Sequence, residues 1–372
     1  MHIGFSAFIP PDSRPGVAAY QRELLRHLQQ EDPVSDYDIL LPRQQADSVP
    51  LTAINFTKTL YTNLAARPAA NFVWHNTALP LLGRARRYNL LHVPDWRRIP
   101  LVKKCPILAT VHDAGSLARP DNGPARKLLL KQLRGADHLI AVSRCLKKLL
   151  VEHASLPPEK ITVLTSGIDR RLFRPVRRAE ACARLTATRQ IKPPFIVYAA
   201  RLEHPCKNHL RLIEAFERFR LRTGGESRLV LPGAEAAGAE IIRRRAAESP
   251  VAADILFPGF VSPEELALFY SACDLMIYPS LTEGFGLPVI EALASGARAV
   301  CSNTSALREI SGHIVPKFNP HSPDEMVRCL EKHLSEEWSR EHRRRALEYA
   351  AEFDWSRTAR QTLELYERTA RP

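Results

Sequence analysis

Glu283-Gly-Phe-Gly-Leu-Pro-Val-Ile-Glu291, running on through Ala-Leu-Ala-Ser to Gly296, decides how this chain is to be read. Ahead of it lies Asp274-Leu-Met-Ile-Tyr-Pro-Ser280, a short apolar run with the character of a buried strand. Behind it, Arg298-Ala-Val-Cys301 reads as the next strand. Between them, Pro288 suits the first position of a helix and Gly296 suits its end. Strand, loop, helix, strand is the unit from which parallel sheets are built.

The loop leaves the carboxyl end of a strand and enters a helix amino terminus, where unpaired N–H groups and the helix dipole attract anions. Gly284 and Gly286 carry no side chain that would hold a phosphate away from the backbone. The two carboxylates do not belong beside a phosphate, which they repel. Glu283 and Glu291 therefore contact something else, and sugar hydroxyls are suitable partners. The alternative is that both acids merely suit the first turn of a helix through its dipole.

This segment resembles the Glu-x7-Glu signature of family 4 of the retaining glycosyltransferases, which have the GT-B fold. The resemblance implies an α/β chain of two facing, Rossmann-like, doubly wound domains with an interdomain cleft. On that reading residues 1–175 form the amino-terminal, acceptor-side domain and residues 190–350 the nucleotide-sugar-binding domain. Residues 351–372 are a helix returning to the first domain.

Composition agrees with this frame. At 372 residues the chain is long for one core and comfortable for two. No apolar run approaches the roughly 18 residues of a membrane span, and Met1-His-Ile-Gly-Phe starts directly as a strand, so neither signal peptide nor transmembrane helix is expected. Seven cysteines without a Cys-x-x-Cys pair argue against a disulfide framework and a zinc site, and point to the cytoplasm. Of the net charge of +13, all but one unit falls within the first 180 residues. Such asymmetry suggests an anionic partner for the first half. Pro124 to Arg134 reads as a basic amphipathic helix, and Arg84, Arg86, Arg87, Arg97, Arg98, Lys103 and Lys104 form a second basic group. Peripheral attachment to the inner, anionic face of a membrane would suit them; a leucine stripe packed on the core with a solvated basic face is the alternative. Aromatic residues do not alternate with these charges as a single-strand nucleic-acid groove requires, so nucleic acid is not an expected partner.

Further motifs follow the family order. Gly16, at the start of a helix after Pro10-Pro-Asp-Ser-Arg-Pro15, resembles the glycine that brings backbone close to donor phosphate or acceptor, although many relatives have two glycines there. His112-Asp113, ending the strand Ile107 to Val111, would face the crevice at which open parallel sheets bind ligands. It resembles the family histidine that contacts the donor sugar near the reacting centre. Asp36-Tyr-Asp38 has the spacing of a metal-binding acid pair, but it reads as a turn entering a strand, and no metal site is expected. Thr165-Ser-Gly-Ile-Asp169 with Phe173-Arg-Pro175 resembles the passage between domains, Ser166 standing where an asparagine is usual. The polar interval from there to Pro193-Pro194 is the linker candidate. No G-x-G-x-x-G run follows the first strand, which counts against a nicotinamide-binding domain.

In the second half, Arg201 and Lys207-Asn208 connect a strand to a helix. Two fixed cations at a strand's carboxyl end are what a departing diphosphate needs where no metal serves it. They resemble the Arg…Lys-Asn of family 4. Ile255 to Val261 reads as a strand, and backbone near Phe260-Val261 resembles the segment that borders the nucleotide base. The resemblance thus implies a metal-independent, retaining hexosyltransferase with no cofactor other than its nucleotide-diphosphate sugar substrate, GDP-mannose or another NDP-hexose. The acceptor would be a glycan, lipid-linked, in surface or exopolysaccharide assembly. His112, Glu283, Arg201 and Lys207 would carry catalysis. Gly16, Arg201, Lys207, Val261, Glu283, Gly284, Phe285, Gly286, Leu287 and Glu291 would bind the donor. The competing readings are a nucleotide-sugar epimerase or phosphorylase on the same fold, and a non-enzymatic basic module binding nucleic acid or membrane.

Overall fold

The computed structural model describes residues 1–9, 15–118 and 123–370. The chain divides into two compact units, Met1–Gly167 with Asp354–Pro372, and Ile168–Phe353. The first is built on seven parallel strands: β1 (His2–Ser6), β2 (Asp36–Pro42), β3 (Phe56–Tyr61), β4 (Leu90–Val93), β5 (Ile107–Val111), β6 (His138–Ala141) and β7 (Ile161–Val163). Their spatial order is β3-β2-β1-β4-β5-β6-β7. The second holds β8 (Phe195–Val197), β9 (Arg228–Val230), β10 (Ile255–Leu256), β11 (Leu275–Tyr278), β12 (Ala299–Ser302) and β13 (Lys317–Phe318), in the order β10-β9-β8-β11-β12-β13. Every residue of β4, β5, β8, β11 and β12 is buried, as strands covered by helices on both faces must be. Both sheets therefore have the doubly wound, Rossmann-like pattern.

In each sheet the strand order reverses beside the strand that opens the unit, at β1/β4 and at β8/β11. Loops leaving the carboxyl ends of those strands diverge to opposite faces of the sheet and leave a crevice. The topology thus places the loops carrying Arg201, Lys207 and Glu283 together.

The last helix, Trp355–Ala370, belongs to the first unit and lies against the helix Pro15–Glu31. Its Tyr366 hydroxyl meets His92 Nδ1 at 2.7 Å, and Thr358 Oγ1 donates to the Thr165 carbonyl at 2.8 Å. A side chain at Gly167 would lie 2.3 Å from the Trp355 nitrogen, so the chain can return there only over a glycine.

Three expectations from the sequence need correction. Ile255 to Val261 is not one strand: β10 ends at Leu256, and Pro258 with Gly259 (φ +76°) turns the chain away. The linker candidate is largely a helix, Arg178–Arg189, which buries Ala181 and Leu185 and packs on the helix Pro263–Ala272. Asp36 and Asp38 are in β2 rather than in a turn ahead of it; Asp38 is buried and accepts from the hydroxyls of Tyr88 (2.5 Å) and Thr59.

Candidate active site

Glu283 is positioned from three sides in the second unit. Its Oε1 accepts from Lys207 Nζ at 2.5 Å and from the Tyr278 hydroxyl at 3.1 Å, and its backbone N–H donates to Ser305 Oγ at 3.0 Å. The Lys207 and Glu283 side chains are only 15% and 13% exposed, so this is a half-buried ion pair rather than a surface one. Lys207 is fixed in turn by Asn208, which takes a left-handed conformation ahead of the helix His209–Thr223. The buried Asn208 amide donates to the carbonyls of Pro279 (3.0 Å) and Pro320 (2.8 Å), tying the loop after β8 to the loops after β11 and β13. Tyr198 completes the brace by donating to the Lys207 carbonyl at 2.7 Å.

Arg201 stands one turn earlier in the same loop and pairs with Glu203 at 2.7 Å. The Glu203 carbonyl accepts the Lys207 amide, so both cations share one short scaffold.

The helix Leu287–Ala294 begins immediately after this cluster. Gly286, its N-cap, has φ +103°, and a Cβ there would lie 2.5 Å from Leu307 Cδ2. Glycine is required twice over, by conformation and by packing. The N–H groups of Phe285 and Gly286 donate to nothing among the described residues and open the helix amino terminus. The Phe285 ring is buried against Phe353 at 5.9 Å, so this residue can offer a ligand only its backbone.

Glu291 lies on the same helix, beyond Glu283. Burial pushes its carboxyl up to about 8, and the carboxylate accepts no hydrogen bond among the described residues. A protonated acid of this kind can both donate to and accept from hydroxyls. Val261 lies half-buried in the loop after β10, ahead of the Ser262 capping box that starts the helix Pro263–Ala272; its neighbour Phe260 is 66% exposed.

Gly16 and His112 belong to the first unit. Gly16 sits in the first turn of the helix Pro15–Glu31, while residues 10–14 of the preceding loop lie outside the described residues. His112 follows β5; its Nε2–H donates to the Pro94 carbonyl at 3.0 Å, and its ring meets Tyr20 edge-on at 4.5 Å. Burial pushes its pKa down to about 4 despite Asp95 and Asp113 nearby, so the imidazole is neutral with Nδ1 as its lone-pair side.

Tyr278 and Ser305 were not foreseen. Both are uncharged, and Ser305 meets the Glu283 amide across 22 residues of sequence. A tyrosine closing an apolar strand just before a carboxylate was the one available signal.

The basic residues noted in the sequence are largely engaged. Arg126 and Arg134 donate to the carbonyls of His153 and Ala154, the last residues of the helix Arg144–Ala154. Lys103 pairs with Asp137, Arg97 with Asp113 and Arg86 with Asp38.

Two family models cover most of the chain: "Glycosyl transferases group 1" matches residues 187–353 and "Glycosyltransferase Family 4" matches residues 14–172. The chain belongs to the family 4 glycosyltransferases. Among its curated relatives, the serotype-specific mannosyltransferase WbdA of Escherichia coli is 30% identical over 233 residues, 62% of this chain and 28% of WbdA. This chain thus spans less than a third of that relative. The O-antigen chain mannosyltransferase B of the same organism is 26% identical over 268 residues, 70% of this chain and 69% of the relative. The GT-B fold is shown by sucrose-phosphate synthase of Thermosynechococcus elongatus, with a TM-score of 0.78 at 18% identity over 99% of this glycosyltransferase chain and 98% of the synthase.

Proposed function

We propose that this family 4 member transfers a hexose, with retention and without a metal, from a nucleotide-diphosphate sugar to a glycan acceptor. The single observation that carries the reading is the Lys207–Glu283 pair set against the open amino terminus of the Leu287–Ala294 helix. A cation, unpaired amides and a carboxylate in one place match the three parts of a sugar diphosphate: leaving phosphate, helix-bound phosphate and sugar hydroxyls. On binding, Lys207 exchanges Glu283 for the diphosphate, and Glu283 is released to the sugar hydroxyls. Arg201 shares the phosphate charge, and Glu291 takes the ribose hydroxyls.

The bond from the sugar's anomeric carbon to the diphosphate oxygen breaks as the bond to the acceptor oxygen forms on the same face. The acceptor's proton passes to the departing phosphate. Neutral His112 would contact the transferred sugar.

Mannose is the favoured sugar because the E. coli relatives are named as mannosyltransferases, and polysaccharide assembly follows from the same names. A lipid-linked acceptor fits an unusual helix, Pro68–Asn76. It buries polar Asn71 and His75 and turns Phe72 and Val73 outward, 37% and 57% exposed. Leu64 and Leu81 on the flanking segments are 63% and 60% exposed, and Arg67 and Arg84 are exposed beside them in sequence. Apolar side chains among arginines suit an anionic membrane surface. Among the described residues no helix is long and apolar enough to cross a membrane.

A thermal-shift screen of GDP, UDP, TDP and ADP sugars tests the donor, since a ligand bound only by the folded state raises Tm. One sugar nucleotide, GDP-mannose first, should stabilise the chain; no stabilisation by any of them would overturn the proposal. NMR of a donor-only incubation separates transfer from epimerisation, which would release a changed sugar nucleotide without an acceptor.

A further inference from the structure

At the opposite, amino-terminal edge of the second sheet is a separate cavity of about 240 Å³. It lies beside Asp274 and Arg298, the residues that precede β11 and β12, away from the carboxyl-end loops of the proposed donor site.

Arg298 is 7% exposed and lines this cavity. Its guanidinium stacks over Trp338 at 5.2 Å but makes no hydrogen bond or ion pair among the described residues. Its N–H groups are thus available to an acceptor that enters the cavity. Arg343 lines the same space and is likewise without an acceptor; its guanidinium lies so close to Gly296 that a Cβ there would be 2.6 Å from Nε.

Of the two acids on the wall, Asp274 is already engaged. Asp274 accepts from Arg178 and from the Phe195 amide at 2.8 Å. Glu336 stands 3.5 Å from His333 Nδ1; it lies near enough to favour the Arg298 charge but accepts no hydrogen bond from it.

We propose that this cavity is a binding site for a small phosphate monoester or orthophosphate, distinct from the donor site and independent of the reading given for it. Two guanidinia present planar forks of N–H donors, the arrangement that matches phosphate oxygens. The volume falls below the roughly 300–1,000 Å³ of drug-sized ligand sites and suits a ligand no larger than a phosphorylated monosaccharide. Trp338 donates from Nε1 to the Gly296 carbonyl at 3.2 Å, just past the end of the helix Leu287–Ala294. A ligand held by Arg298 and Arg343 would therefore bear on the far end of the helix whose amino terminus faces the donor.

The test titrates orthophosphate and a hexose 6-phosphate separately into the full chain carrying Lys207→Ala, which silences the diphosphate site. Tm and tryptophan fluorescence are followed at constant ionic strength, with chloride as the control anion. At least one of the two should give a saturable Tm rise and a fluorescence change that Trp338→Phe removes. Tighter binding of the ester assigns the site to sugar phosphates; response to orthophosphate alone assigns it to the free ion. Arg343→Ala and Arg298→Lys, the latter chosen because Arg298→Ala risks the fold, should each weaken binding by about tenfold or more. In a Lys207 background the same changes should leave donor affinity as it was. A chloride-like response to both phosphates, or variants that bind as tightly as their parent, would overturn the site.

Discussion

The two sheets share a strand order yet differ in chemistry where that order reverses. Near β1/β4 the inward groups are neutral histidines, with the pairs Arg97–Asp113 and Arg98–Asp95 in the flanking loops: His112 donates to a carbonyl beside Tyr20, and His92, pushed down to about 3 by burial, bridges Tyr366 and Thr110. Near β8/β11 they are ionic, with Lys207 against Glu283 and Arg201 against Glu203. Topology supplies a crevice in both units, but the residues that end the strands decide what each can hold. Fixed charge suits a diphosphate; a neutral, aromatic-walled histidine suits sugar hydroxyls and repels no acceptor.

The contrast is broken most severely by Lys207→Ala, which removes the cation from the ionic crevice. Transfer should fall by about 10²–10³ in kcat/KM, the range for removing one preorganised charge-stabilising donor; a loss below tenfold in steady-state assays would place the diphosphate elsewhere. Glu283→Gln keeps the shape but removes the charge that holds Lys207. It should lower kcat by about tenfold to a hundredfold with a smaller change in KM, because sugar hydroxyls are oriented chiefly at the reacting step.

Glu291 sharpens the comparison through pH. Its folded carboxyl titrates at about 8 against an ordinary 4.5, so between those values the folded state holds a proton that the unfolded state has lost. Stability should therefore fall as pH rises through this window, and Glu291→Gln should flatten the slope of Tm against pH. An identical slope in the variant would contradict the burial argument. The smallest effect concerns His112. Its folded pKa of about 4 lies below an ordinary 6.5, so its contribution to stability is complete above that range and is lost as pH falls through it. Activity should accordingly show no inflection near pH 6–7 from this residue; an inflection there that His112→Asn abolishes would show a charged imidazole.

A separate expectation follows from the outward apolar residues. Phe72→Ser with Val73→Ser should abolish flotation with anionic phosphatidylglycerol vesicles while leaving nucleotide affinity unchanged; equal flotation would remove the membrane from the proposal.

Much of the second crevice was legible in the sequence because its constraints are local. Gly286 is required by its own φ and by Leu307, Pro288 stands in the first turn of its helix, and Lys207-Asn208 opens another helix. What stayed hidden depends on distant contacts or on weak periodicity. Ser305 acquires its role only when β12 brings it beside the Glu283 amide. The edge strand β3 buries only Phe56 and has Thr and Lys among the rest, so no apolar run announced it. The helix Arg178–Arg189 buries only Ala181 and Leu185 and otherwise reads as a polar linker. Arg298 reads as the start of a strand, and nothing local distinguishes an arginine that will be buried without an acceptor among the described residues.

The most direct test is a crystal structure with an intact donor soaked or co-crystallised, GDP-mannose first. The diphosphate should lie on Lys207 and Arg201 with its oxygens at the Phe285 and Gly286 amides, Glu283 turned from Lys207 to the sugar and Glu291 on the ribose. A donor bound elsewhere, or one bound here with both acids directed away from its hydroxyls, would contradict the assignment.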